Sequence, residues 1–163
     1  MGQYKVNSTG NYSLKGWELT INAIEWVGTK VNKDSTILEL GSGHSTKQFS
    51  EFCNVVSVEQ NQNWVGKYNS TYIHAPIVNG WYDINVLKKG LPKKYDVLVI
   101  DGPIRIDEAD RRLFNKHKDL FYLDCPILLD DVHRIETRVF AKELAKSLNR
   151  IYKEIDIYTA VIE

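Results

Sequence analysis

The sequence predicts an α/β protein: a three-layer α/β/α sandwich around a mostly parallel, seven-stranded sheet with an antiparallel strand at its C-terminal end. Three observations carry this. Short apolar runs and amphipathic stretches alternate five times, as parallel strands joined by right-handed crossovers require. After Arg150 two short alternating runs, 151–155 and 158–162, are joined too closely for a crossover and must pair antiparallel. Finally, 163 residues with 43% hydrophobic and 26% charged side chains suffice for one domain, 1–163, with a proper core.

Residues 1–13 are polar and turn-rich and read as an arm. A helix is expected from Leu14 to Val31, with Leu14, Trp17, Ile21, Ile24 and Val31 on one face. Thr36–Leu40 is a short apolar strand running into Gly41-Ser42-Gly43. Ser45–Phe52 reads as a helix, Val55–Glu59 as a strand and Asn61–Tyr68 as a short helix. Thr71–Val78 is a strand that Pro76 places at an edge or bulge. Tyr95–Asp101 is the clearest strand, and Gly102-Pro103 turns the chain after it. A polar helix over 107–118, a strand over Pro126–Asp130 and an amphipathic helix over Arg134–Leu148 complete the alternation.

The charges cancel, 21 Lys and Arg against 21 Asp and Glu, which argues against a general nucleic-acid binder. Two cysteines are too few for a disulfide framework. No apolar run approaches the roughly 20 residues of a membrane span, and the start lacks a signal pattern, so a cytoplasmic protein without membrane contact is expected. Association as a homodimer stays open.

Ligands of open α/β sheets bind outside the carboxyl ends of the strands. Those ends carry Glu39, Glu59, Asp101 and the pair Asp130-Asp131, and Asp83 follows the third strand. Gly41 and Gly43 supply a tight turn with close backbone approach. Thr46 stands where a dinucleotide fingerprint needs its third glycine, which disfavours an NAD-linked oxidoreductase. No Gly-Lys-Ser/Thr follows, so the loop is not a Walker A motif. Glu59 ends the second strand where a ribose diol would lie, and a carboxylate there favours free ribose hydroxyls.

ILELGSGHST, VVSVE, YDVLVIDGP and ILLDDVHR, in that order, resemble the successive motifs of class I S-adenosylmethionine-dependent methyltransferases, over about residues 14–163. The resemblance implies S-adenosyl-L-methionine as cofactor and a small-molecule methyl acceptor. It implies a cofactor-binding set of Glu39, Gly41, Ser42, Gly43, Ser45, Glu59, Gln60, Trp81, Tyr82, Asp83 and Asp101. The glycine loop would lie beside the methionine part and Glu59 would hold the ribose. Trp81–Asp83 would flank the adenine, and Asp101 would face the methionine or the substrate. The competing readings are a turn for the glycines, ordinary core or loop aromatics for Trp81 and Tyr82, and a solvated strand end for Glu59.

Metal-dependent O-methyltransferases of the catechol and caffeoyl-CoA type place an Asp after the fourth strand and an Asp-Asn pair after the fifth. Setting their L-L-A-D-N-V on Leu128–Val132, shifted by one, puts Asp130 on the Asp and Asp131 on the Asn. With Asp101, these would offer Mg²⁺ or Mn²⁺ three oxygen ligands. The competing reading has Asp131 capping the next helix and Asp130 paired with Arg134. Against the metal, Asp101 is followed by Gly-Pro and the chain is shorter than those enzymes. The catalytic candidates are therefore Asp101, Asp130 and His133. Imidazole suits general-base work, and His44, just after the glycine turn, is a weaker candidate.

Arg105 and Arg111 follow Asp101, where they would hold an anionic substrate; pairing with Asp107, Glu108 and Asp110 on their own helix is the competing reading. The arm and Trp17 are the one segment long enough to cover the site. Three rival functions share these features. One is a cofactor-binding module without catalysis, one is an aminopropyl transferase like spermidine synthase, and one is the disfavoured oxidoreductase.

Overall fold

The computed structural model describes residues 18–105 and 108–163, with the backbone of Lys5–Val6 (β1) and Tyr12–Ser13 (β2), which pair antiparallel. Leu14, Trp17 and the proposed cover over the site lie outside the described residues. Helix α1 spans Ile21–Gly28, and Thr20 caps it by accepting a hydrogen bond from the Ala23 amide at 3.2 Å. Its buried stripe is Leu19, Ala23 and Val27 at a spacing of four. Ile21, expected inward, is 52% exposed, because two residues along a helix turn it about 200° from that stripe.

The chain continues through β3 (Thr36–Leu40), α2 (His44–Phe49), β4 (Asn54–Glu59), β5 (Thr71–His74), β6 (Ile77–Val78), β7 (Trp81–Tyr82), α3 (Ile84–Gly90) and β8 (Val97–Ile100). It ends with α4 (Phe114–His117), β9 (Ile127–Leu129), α5 (Ile135–Ser147), β10 (Tyr152–Glu154) and β11 (Ala160–Ile162). The main sheet has seven strands in the order β10-β11-β9-β8-β3-β4-β5. β5, β4, β3, β8 and β9 are parallel; β11 runs antiparallel to β9, and β10, antiparallel to β11, returns to the direction of the parallel set. This is the predicted fold class, including the antiparallel end.

Both faces of the sheet are covered, so its central strands are mostly apolar. Ile37, Val55, Val97, Val99 and Leu128 pack beneath Ala23 and Val27 of α1 and Phe49 of α2. Leu38, Leu40, Leu98, Ile100 and Leu129 face the other way, onto Leu87 of α3, Phe114 of α4 and Phe140 and Leu144 of α5.

Three expected elements differ. Asn61–Tyr68 forms no helix: Asn61 Oδ1 accepts from the Asn63 amide at 3.0 Å, and Gly66 sits at φ +78°. Both stabilise turns instead. The strand expected over Thr71–Val78 breaks before Pro76. Its second half pairs with Trp81–Tyr82 in a hairpin across Asn79-Gly80, both with positive φ, the favoured two-residue hairpin turn. The expected helix over 107–118 is a 3-10 turn at Arg111–Leu113, the single α-turn α4 and a second 3-10 turn at Lys118–Leu120. Helix α3 was not expected, although Asp83 ahead of it and Gly90 at its end are helix boundary signals.

Phe140 is buried among aromatic neighbours and lies 6.2 Å from Phe114, centroid to centroid. Phe140→Ala should lower the unfolding free energy by about 3–5 kcal/mol, read as a lower urea midpoint with an unchanged slope.

Candidate active site

The strands deliver their last residues to one edge. Gly41, at φ +87°, donates to the Val58 carbonyl at 2.8 Å, so the loop leaving β3 leans over β4. The ends of β3 and β8 touch here. A Cβ on Gly41 would lie 3.1 Å from Gly102 Cα, and one on Gly102 would collide with the Tyr82 hydroxyl and the Gly41 amide. A Cβ on Gly43 would meet nothing within 4 Å, so the loop opens onto free space at that residue.

Beneath the loop lies Glu39, 1% exposed. Its Oε1 accepts from Ser57 Oγ at 2.5 Å and from Thr46 Oγ1 at 2.6 Å. Thr46 Oγ1 in turn accepts from the Gly43 amide at 2.9 Å. Glu39 therefore supports the start of α2 through Thr46, a role glycine could not fill at that position. Burial pushes the Glu39 carboxyl up to about 8, outweighing its two hydrogen bonds, and the negative charges of Asp101 and Glu59 add to the rise. At neutral pH it is mostly protonated.

Glu59, buried at the end of β4, turns onto the glycine loop. Its Oε2 accepts from the Ser42 amide at 2.9 Å and Ser42 Oγ at 2.6 Å, and its Oε1 accepts from the Asn61 amide at 2.8 Å. A carboxylate offers about four acceptor positions, so capacity remains for a ligand hydroxyl. Gln60 Oε1 accepts from the Ile104 amide at 3.0 Å, tying the end of β4 to the loop after β8. Ser45 is buried in the first turn of α2.

Other residues of the expected cofactor set do not reach the cleft. Trp81 and Tyr82 are 1% and 0% exposed. Trp81 is sandwiched in the core beside Phe114 and His117, and Tyr82 lies beneath Gly102. They form the floor and present no face to an adenine. Asp83 caps α3, its Oδ1 accepting from the Asn85 and Val86 amides at 2.8 and 3.4 Å. The aromatic side chains near the glycine loop are instead Tyr68, 6.0 Å from His44, and Trp64, 6.3 Å from Tyr68 and covered by Lys67.

Asp101, Asp130 and Asp131 do converge, with one carboxylate oxygen of each within 4.8 Å of the others. Asp131, at φ +64°, does not cap α5, whose N-cap is Arg134. Its Oδ2 lies 3.6 Å from both Arg111 and Arg134, and its Oδ1 lies 3.9 Å from His133 Nδ1. Arg134 thus pairs with Asp131 rather than Asp130. The His133 ring also meets Tyr158 edge-on at 5.0 Å.

The residue that sequence reasoning underrated is Arg111. Arg112 pairs locally with Asp110, and Arg105 reaches Glu136 on α5 at 2.6 Å. Arg111 points into the acidic edge. It donates to the Asp130 carbonyl at 2.9 Å and to the Asp101 carbonyl, and lies 3.7 Å from Asp101 Oδ1. A permanent cation thus lies beside two of the three carboxylates, those of Asp101 and Asp131.

No protein-family profile matches the chain, and no curated protein matches it. Solved structures do. A TehB-like SAM-dependent methyltransferase from Corynebacterium glutamicum aligns over 86% of this chain and 85% of its own, at 10% identity and TM-score 0.52. The METTL16 methyltransferase domain aligns over 98% and 85%, at 13% identity and TM-score 0.57. MycE, solved with Mg, SAH and mycinamycin VI, aligns over 92% of this chain at 14% identity and TM-score 0.57, but this chain spans only half of MycE. The chain has the class I methyltransferase fold. Among the described residues no helix is long and apolar enough to cross a membrane.

The raised Glu39 value fixes the sign of a pH effect. The folded carboxyl holds its proton to about 8 and the unfolded one only to about 4.5. The stability this group contributes is complete below the lower value and is lost as pH rises through the upper one. Glu39→Gln should flatten the fall in urea-derived stability between about pH 5 and 9; an unchanged slope would show that Glu39 is not its source.

Proposed function

We propose that this protein transfers the methyl group of S-adenosylmethionine to an oxygen or nitrogen of a small molecule, acting as a single domain. The observation that carries the proposal is the Gly41–Gly43 loop, open at Gly43, beside the strand-end carboxylate of Glu59. The free, buried thiols of Cys53 and Cys125 suit a reducing compartment such as the cytoplasm.

Bound there, the cofactor would supply a sulfonium methyl group open to in-line displacement by the acceptor. Glu59 would accept hydrogen bonds from the ribose hydroxyls. Asp101, just after β8, would hold the methionine end and put negative charge near the sulfonium. His133 takes the proton the acceptor loses, and Asp131 at 3.9 Å favours the resulting imidazolium. The protein mainly aligns the two reactants, the largest contribution open to a site that forms no covalent intermediate. No step is assigned to a metal, because Arg111 lies against the carboxylates that would bind it.

Calorimetry with S-adenosylhomocysteine tests the cofactor. Binding is expected to the wild type and to weaken by roughly 1–3 kcal/mol in Glu59→Ala; absence of binding to the wild type would sink the proposal. His133→Ala should retain that binding while methyl transfer falls by about 10²–10⁴-fold. Equal turnover in the variant would remove His133 from the mechanism.

A further inference from the structure

We infer that Arg111 is the resident cation of the acidic strand ends, standing where a divalent metal would otherwise bind. Its side chain is only 12% exposed. It spans the two strand ends, donating to the carbonyls of Asp130 and Asp101 and lying 3.7 and 3.6 Å from the carboxylates of Asp101 and Asp131.

Local structure fixes this placement. The Asp110 amide donates to the Gly80 carbonyl at 2.8 Å, anchoring the start of the 3-10 turn on the hairpin. The Asp110 carboxylate then accepts from the Arg112 amide and side chain. Arg112 is held outward, and Arg111, its neighbour, is directed into the cleft.

A guanidinium stays charged at any working pH and offers a planar fork of donors. Both properties matter here: the fork satisfies two carbonyls on adjacent strands, and the fixed charge repels a dication from the same position. Arg111 is thus a positioning residue that holds Asp101 and Asp131 at the cleft. The protein needs no divalent ion for that purpose. This rests on the geometry of the strand ends and not on methyl transfer, and its test requires no cofactor.

The test is Mn²⁺ titration followed by electron paramagnetic resonance and thermal unfolding, on the full chain. Wild type is expected to show no saturable binding. Arg111→Met, which keeps bulk and removes charge, should gain it, with melting raised by roughly 3–6 °C at about ten times the dissociation constant. Adding Asp130→Asn should abolish that gain, and Arg111→Lys, which keeps the charge, should not show it. Saturable Mn²⁺ binding to wild type that disappears in Asp130→Asn overturns the inference, as does a folded Arg111→Met protein that binds none. If Arg111→Met does not fold, wild type and Asp130→Asn decide the matter alone.

Discussion

The site depends on a contact between two glycines. Gly41 ends β3 and Gly102 follows β8, and the strands finish so close together that neither position has room for a side chain. The Leu40 carbonyl accepts from both the Asp101 and Gly102 amides, which presses the second loop onto the first strand. Because β3 and β8 are neighbours in the sheet, the contact sends the Gly41–Gly43 loop over β4 toward Glu59. Tyr82 fills the space below. The Asn79-Gly80 hairpin that carries Tyr82 is therefore part of the support of the cleft.

Two glutamates at adjacent strand ends show how depth decides the use of a carboxyl. Glu39 is sealed beneath the loop, where an ionised form would lose its hydration, and it keeps its proton at neutral pH. It serves as a neutral bracket between Ser57 and Thr46. Glu59 sits a strand away with amide and hydroxyl donors from Ser42 and Asn61 around it, which suits it to meet polar groups of a ligand. The two residues look alike in sequence. Their difference comes from Glu39 lying inside β3, under α2, and Glu59 closing β4.

Most of the sheet was legible because a parallel strand buried on both faces is a mostly apolar run, and TILEL, VVSVE, VLVI and ILL are such runs. The terminal antiparallel pair followed from its short connection. What escaped was governed by single residues acting through the backbone. Asn61 and Gly66 replace a helix by turns, and Asn79-Gly80 makes a hairpin of what read as one strand and a loop. Asp83, at the same edge, also caps a helix through its Oδ1. Trp81 and Tyr82 were misread, since aromatic type and position do not reveal which way a two-residue strand faces. The acidic convergence at Asp101, Asp130 and Asp131 was readable from strand ends alone. The partner of that cluster was not, because nothing local distinguishes Arg111 from Arg112.

The neutral overall charge takes on a different meaning at this edge. Counting strand-end acids suggests a strongly acidic cleft of six carboxylates. The structure reduces it one group at a time. Glu39 is protonated, Asp83 is turned onto helix amides, and Arg111 and Arg134 lie beside Asp131 while Arg111 also faces Asp101. The net negative charge at this edge is smaller than the count of acids implies, and Glu59 keeps its place beside the open loop. An undivided cluster of acids would attract any cation, dications most of all. An acidic edge partly offset by a fixed guanidinium presents less negative charge to any cation than its acids alone would.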